Sequence, residues 1–249
     1  MALGQQNRYA TVNRGQTIDR AEIDVGLRQH MLRVYNYMAT GLAISGLVAW
    51  MIAHTSVGGV FFAPAPNGGI APTALGMIGI FAPLGLLLIG MFTLRSAKAS
   101  TVQALYWGYV ALQGIGLSII LMTYTGESVV RVFFITAAAF AGLSLYGYTT
   151  KRNLSAFGSF LVMGLIGLLI ASVVNIFLGS SMLQFVIAAA GVLIFAGLVA
   201  YDTQAIKEQY YEGMDSETGT KTAVMGAWML YLSFINLFQF LMMFLGNRE

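Results

Sequence analysis

Cysteine is absent from this chain of 249 residues, and charged residues make up only 9% of it. The missing cysteine excludes disulfide bonds, thiolate metal sites and a cysteine nucleophile. Soluble domains carry about 25% charged residues, so a chain with so few cannot cover a water-facing surface. The basic residues never cluster with aromatic residues, and we therefore expect no nucleic-acid interface.

Recognisable catalytic motifs are missing as well. The two histidines, His30 and His54, share no helix face with a serine or an aspartate, so neither a serine-protease triad nor a histidine metal site is indicated. The glycine-rich stretches lack the spacing and the strand-before-helix context of phosphate-binding or dinucleotide-binding loops. We therefore expect no enzymatic activity and no bound cofactor.

Long apolar runs are the feature that the chain does have, since 57% of its residues are hydrophobic. Seven runs of about 20 residues each are long enough to cross a hydrocarbon core about 30 Å thick. They lie near residues 34–54, 73–94, 102–123, 130–150, 156–178, 183–206 and 222–245. Between the first two, GGVFFAPAPNGGIAP predicts a loop that contains no helix. The sequence predicts an all-α integral membrane protein: a seven-helix transmembrane domain over 34–249 after a partly helical cytoplasmic tail over 1–33.

Basic residues are distributed unequally between the two sides of this predicted bundle. If the N-terminus is cytoplasmic, 11 of the 13 Lys and Arg residues fall in cytoplasmic segments, and only Arg131 and Arg248 fall outside. Cytoplasmic loops carry an excess of Lys and Arg in membrane proteins. The pattern therefore predicts a cytoplasmic N-terminus and a C-terminus on the outer side.

Asp202 is the one carboxylate inside a long apolar run, LIFAGLVAYDTQAI. An aspartate at a helix centre costs roughly 2.5–3.5 kcal/mol on insertion, so such residues usually have a partner and a function. Arg95 ends the second span on the same predicted side as Asp202. We interpret the two as a candidate protonation-controlled gate. The alternatives are that Arg95 only anchors a helix end and that Asp202 is an ordinary carboxylate near one.

Polar residues also follow one face of the seventh span. Ser233, Asn236 and Gln239 recur every third residue, which makes them candidates for lining a pore or for completing a second site. The alternative is that they only hydrogen-bond neighbouring helices.

Two segments of the chain resemble a known family. AYDTQAIKEQY followed by LYLSFINLFQFLMMFLG is similar to the last two helices of the Bax inhibitor family in its bacterial branch, and AEIDVGLRQHMLRVYNYMATGLAISG is similar to the start of many bacterial members. The resemblance implies a bacterial cytoplasmic (inner) membrane protein whose seventh helix is enclosed by the other six. It also implies a pH-sensitive calcium leak governed by two aspartates, one on each of the last two helices. Asp202 matches the first aspartate, and Arg95 matches an arginine that latches to it.

The chain departs from this family pattern at Ser233, which stands where the second aspartate is expected. Two close carboxylates titrate as a coupled pair, and a single one loses that coupling. We therefore expect weakened pH sensing and only a weak calcium site at Asp202. The leading hypothesis is a membrane leak channel or transporter for calcium or another cation. The alternative is a non-conducting regulator whose tail binds other membrane proteins, such as a quality-control protease.

Overall fold

The computed structural model describes residues 3–65, 69–93 and 97–247, with side chains described for 25–65, 69–90 and 97–247. Over these residues the fold is almost entirely helical, which confirms the predicted all-α class. The elements are α1 (Leu3–His54), α2 (Gly58–Phe61), β1 (Phe62–Pro64), β2 (Ile70–Pro72), α3 (Ala74–Thr93), α4 (Ala99–Thr123), α5 (Gly126–Thr149), α6 (Ser155–Leu178), α7 (Ser181–Gln209) and α8 (Ser216–Leu245).

Within the described part of the chain, six helices are long and apolar enough to cross a membrane. They are the 25–54 part of α1 together with α4, α5, α6, α7 and α8. Helix α3 is also apolar, but its stretch with described side chains, 74–90, is shorter than the other six. The prediction of a multi-pass membrane protein is confirmed by these lengths.

The segment between α1 and α3 differs from the predicted loop. Its first four residues form the single turn α2, so the expectation that no helix forms there was wrong. This stretch contains no proline before Pro64, and its backbone can therefore close a helical turn. The strands β1 and β2 then pair in antiparallel fashion, with Phe62 opposite Pro72 and Pro64 opposite Ile70. Both prolines lie at strand ends, where the missing N–H donor costs least.

Helix α8 is the most buried of the six long helices and packs against α1, α4, α5 and α7. Small residues allow this close packing, because backbones in a membrane approach most closely where side chains are small. Gly191 of α7 lies against the ring of Phe240, and Gly226 of α8 lies against Ile206. The large buried side chains Leu230 and Tyr231 place the core of the protein around α8.

Helices α5 and α7 approach one another at Gly147, which lies against the backbone of Ala200. A side chain at position 147 would collide with the Ala200 carbonyl, so glycine is required there by the close approach. This contact brings the polar residues of α5 next to those that follow Ala200 on α7.

Candidate functional site

Asp202 of α7 and Ser233 of α8 form a buried polar contact between the last two helices. The Ser233 hydroxyl donates a hydrogen bond to Oδ2 of Asp202 at 2.6 Å. Asp202 is only 8% exposed and Ser233 only 4%. Hydrogen bonds from hydroxyls to carboxylates are short and stronger than those between neutral groups. The residue that replaces the expected second aspartate is therefore the direct partner of Asp202.

The next residue along α7 joins a chain of hydroxyl groups that crosses three helices. The Thr203 hydroxyl lies 3.0 Å from that of Ser144 on α5, and the Ser144 hydroxyl lies 2.6 Å from that of Tyr35 on α1. Thr203 also donates to the carbonyl of Val199. We call Tyr35, Ser144 and Thr203 the hydroxyl chain. It fixes α7 to α1 and α5 at the level of Asp202.

Gln204 fixes the same turn of α7 to the connection between α5 and α6. Its Oε1 accepts a hydrogen bond from the backbone N–H of Leu154 at 2.8 Å, and its Nε2 donates to the carbonyl of Arg152 at 2.8 Å. One turn further, Lys207 Nζ donates to the carbonyl of Tyr148 at 2.8 Å. Residues 202–204 thus bind α8, α5 and the connection between α5 and α6, and these contacts fix the rotation of α7 about its axis.

A second polar contact anchors the other face of α8. The hydroxyls of Ser45 on α1 and Tyr231 on α8 lie 2.5 Å apart. Ser45 Oγ also lies within 2.9 Å of the carbonyl of Val110 on α4. Tyr231 precedes Ser233 by two residues, so their side chains leave α8 in different directions. Polar contacts therefore hold α8 from both sides.

The remaining predicted site residues are less connected. Asn236 Nδ2 donates to the carbonyl of Leu232 within α8, so it does not join a neighbouring helix through this bond. Gln239 is half-buried on the same helix. Arg95 lies outside the described residues, and the Arg95–Asp202 gate stays a prediction.

The carbonyl of Ala97, two residues before α4, accepts a hydrogen bond from Lys221 Nζ at 3.1 Å. Nearby, Glu217 Oε1 accepts a bond from the N–H of Ala99 at 3.3 Å. Lys221 precedes Ser233 by 12 residues on α8, which corresponds to about 18 Å along the helix axis. The residues just before α4 thus contact α8 near its N-terminal end, more than three helical turns away from the contact between Asp202 and Ser233.

Calcium takes six to eight oxygen ligands in proteins. In the part of the chain that the structure describes, no three His, Cys, Asp or Glu side chains come together as a metal site. Asp202 supplies one carboxylate, with the hydroxyl of Ser233 beside it. The weak calcium site predicted at Asp202 stays a prediction.

Several polar residues that form buried contacts near Asp202 were not identified from the sequence alone. Thr203 and Gln204 follow Asp202 directly, and three consecutive polar residues in an apolar helix are a usable signal. Ser144 and Tyr35 carry no such signal, because isolated hydroxyls are common in membrane helices. Their contact depends on how α1, α5 and α7 are rotated.

These features define a class: a multi-pass α-helical membrane protein with a buried carboxylate held between its last two helices. The profile of the family described as Inhibitor of apoptosis-promoting Bax1 matches residues 27–249. The chain belongs to this Bax inhibitor family, and the resemblance seen in the sequence is confirmed.

Relatives in several bacteria are similar over nearly the whole chain. An uncharacterized protein of Caulobacter vibrioides is 50% identical over 236 residues, which cover 93% of this chain and 94% of the relative. An uncharacterized protein of Rickettsia prowazekii is 46% identical over 226 residues, covering 91% and 92%. The inner membrane protein YbhL of Escherichia coli is 39% identical over 227 residues, covering 90% and 94%. The similarity therefore extends well beyond the last two helices.

Proposed function

We propose that this protein forms a leak pathway for cations across the bacterial inner membrane, with calcium as the candidate ion, and that the α7–α8 contact at Asp202 closes it. The observation that carries the proposal is the buried Asp202 carboxylate, bound by the neutral hydroxyl of Ser233. A hydroxyl does not neutralise a carboxylate. When Asp202 is ionised, a negative charge remains inside the bundle, where it attracts cations and costs free energy unless one arrives.

The protein is a multi-pass protein of the bacterial inner membrane, in agreement with its membrane-length helices and with its similarity to an inner membrane protein of E. coli. We propose that α3 is the second of seven spans, that the N-terminus is cytoplasmic and that the C-terminus lies outside. The excess of basic residues in alternate connections supports this orientation. The contacts of α8 with four other helices support its position at the centre of the bundle.

In the proposed mechanism the described conformation is the closed one. Helices α7 and α8 are joined at Asp202 and Ser233, and the hydroxyl chain holds α7 against α1 and α5. A cation that passes along α7 must replace the Ser233 hydrogen bond with its own contact to the carboxylate. Protonation of Asp202 removes the charge that attracts the cation, so flux should fall as Asp202 becomes neutral.

Ion flux in liposomes tests this proposal. Asp202→Asn keeps the size of the side chain and removes the charge, and we expect it to reduce calcium flux and its dependence on pH. Glu208→Gln is the matched control, because Glu208 is an exposed carboxylate on the same helix. Flux that is equal in Asp202→Asn and the wild type at every pH would remove Asp202 from the pathway.

The proposed Arg95 latch has a separate test. If Arg95 holds Asp202 in the closed state, Arg95→Gln raises flux in the wild-type background and has no effect in the Asp202→Asn background. Independent effects in the two backgrounds would show that the two residues do not act on one another.

A non-conducting regulator is the second candidate, and the length of α1 favours it. This helix has 52 residues, which corresponds to about 78 Å and exceeds a hydrocarbon core of about 30 Å. Its N-terminal part therefore extends beyond the bilayer, where it is available to a partner such as a membrane protease. Deleting residues 1–20 should abolish co-purification of that partner and leave the liposome flux unchanged. A complex that survives the deletion would exclude the tail as the binding segment.

A further inference from the structure

Helices α1 and α5 are separated by an open cavity of about 490 Å³. Its α1 wall includes Arg28, Met31 and Tyr35, and its α5 wall includes Phe140, Ser144 and Tyr148. The cavity lies between two helices that both have the length of membrane spans. In a bilayer, a cavity between two such helices is within reach of lipid chains.

A second cavity, of about 310 Å³, lies further along the same two helices. Leu42 and Trp50 of α1 line it on one side and Phe133 of α5 on the other. Phe234 of α8 also lines it and packs against both Phe133 and Phe140, so it contacts one wall residue of each cavity. We call the two cavities together the lateral groove. Its walls are almost entirely apolar apart from the end that holds Arg28.

Positive charge is concentrated at that end of the groove. Arg28 is exposed and forms no ion pair with a carboxylate among the residues whose side chains the structure describes. Lys207 Nζ, held by the Tyr148 carbonyl, lies 5.4 Å from the centre of the Tyr148 ring and adds a second cation near the same wall. The lateral groove, apolar along its length and with cations at one end, matches a molecule that has a long hydrocarbon chain and an anionic head.

We propose that the lateral groove binds one anionic phospholipid, with its phosphate at Arg28 and an acyl chain between α1 and α5. With the N-terminus cytoplasmic, as proposed above, this lipid comes from the cytoplasmic leaflet, where basic residues attract anionic lipids. Met31 and Phe140 contact the upper part of the chain, and Phe133 contacts its end. Binding itself does not depend on whether the protein conducts ions.

The position of this lipid places it beside the candidate site. Tyr35 and Ser144 line the groove, and Ser144 contacts Thr203, which follows Asp202 on α7. The lipid therefore borders the hydroxyl chain on the side away from α7.

Native mass spectrometry of the purified protein in detergent tests the proposal with two lipids that have identical dioleoyl chains. We expect one phosphatidylglycerol to remain bound in preference to phosphatidylcholine by about fivefold, the effect of one basic residue near an anionic headgroup. Arg28→Gln should abolish this preference. Arg33→Gln is the control, because Arg33 is exposed on the same helix and does not line the groove.

A second pair of variants tests the groove rather than the charge. Ala141→Phe places a ring in the cavity and should remove the bound lipid, since Ala141 lines the α5 wall. Ala139→Phe adds the same ring to a different face of α5 and should leave binding intact. Equal retention of the two lipids by the wild type, or a preference that survives both Arg28→Gln and Ala141→Phe, would overturn the proposal and leave only ordinary surrounding lipid.

Discussion

Helices α6 and α8 have similar lengths, 24 and 30 residues, but opposite surroundings. Helix α6 is the most hydrophobic of the six long helices and the least buried, whereas α8 is less hydrophobic and the most buried. In a soluble protein the order would be reversed. Lipid tails are as apolar as leucine, so apolar surface gains little by leaving them.

The burial of a helix in this molecule therefore does not follow its mean hydropathy. Helix α8 is fixed through Ser233 and Tyr231, whose partners lie on α7 and α1. Helix α6 presents Phe160, Ile166 and Phe177 to the outside, each more than half exposed. Its contact with α7 includes Gly158, which lies against the ring of Tyr201. Mean hydropathy alone therefore does not identify the packed helix, and polar contacts and glycine positions are needed as well.

The largest effect that this view predicts is at Gly147, where α5 meets the backbone of Ala200. Gly147→Ala forces the two helices apart, and we expect a loss of about 1–3 kcal/mol in the free energy of unfolding, as for other overpacked sites. Unfolding by heat or by a denaturing detergent measures the difference.

Gly142→Ala is the matched control, because Gly142 lies on the same helix and a methyl group there meets nothing within 4 Å. Alanine favours helix more than glycine does, so this variant should be as stable as the wild type or slightly more stable. If both variants lose stability to the same extent, close approach at Gly147 is not what holds α5 against α7.

The second-largest effect is expected from Ser233→Asp, which tests the polar contact between α7 and α8. It places two carboxylates where a hydroxyl now bonds Asp202. Such a pair shares one proton when the solution is acidic and carries two repelling negative charges when it is alkaline. We therefore expect stability, and closure of the proposed pathway, to be retained at low pH and lost as the pH rises.

Thermal unfolding and liposome flux between about pH 5 and 9 measure this change. Ser233→Asn, which is polar but cannot ionise, is the control and should not add a pH dependence. A Ser233→Asp variant with the flat profile of the control would mean that the two side chains do not act as a pair.

The sequence predicted the membrane class, the all-α fold and the family for a simple physical reason. Uncharged runs of about 20 residues have few alternatives to membrane helices, and the motif around Asp202 is specific. The contact of Ser144 with Thr203 could not be predicted from the sequence, because it depends on how the helices are rotated and cross rather than on any local pattern. The turn α2 was missed since its glycines were taken as helix breakers, although one turn tolerates them. Arg95 lies outside the described residues, and its predicted role is untested.

Tyr231→Phe tests the polar contact on the opposite face of α8. It removes the hydroxyl that lies beside Ser45, while Ser45 keeps the carbonyl of Gly41 as a partner. Interhelical hydrogen bonds in membranes contribute about 0.6 kcal/mol on average, and we expect a loss of that order. Tyr211→Phe, at an exposed tyrosine outside the helices, should leave the unfolding curve unchanged. A Tyr231→Phe variant as stable as the wild type would assign the anchoring of this face to the aromatic packing alone.

The smallest effect is expected where α8 leaves the bundle, at its N-terminal cap. Asp215 is fully exposed, and its carboxylate accepts hydrogen bonds from the hydroxyl and the backbone N–H of Thr218, which lower its pKa from the ordinary value of 3.8. The folded protein thus binds this proton less tightly than the unfolded chain. The contribution of the cap to stability is present above about pH 4 and is lost as the pH falls through the lowered pKa.

Asp215→Asn keeps an oxygen acceptor that cannot ionise, so thermal unfolding from pH 7 down to pH 2 should show less pH dependence in this variant. Asp215→Ala removes the acceptor and should be slightly less stable at neutral pH. An unchanged pH profile in Asp215→Asn would show that α8 is held by its buried contacts alone, with no measurable contribution from its exposed end.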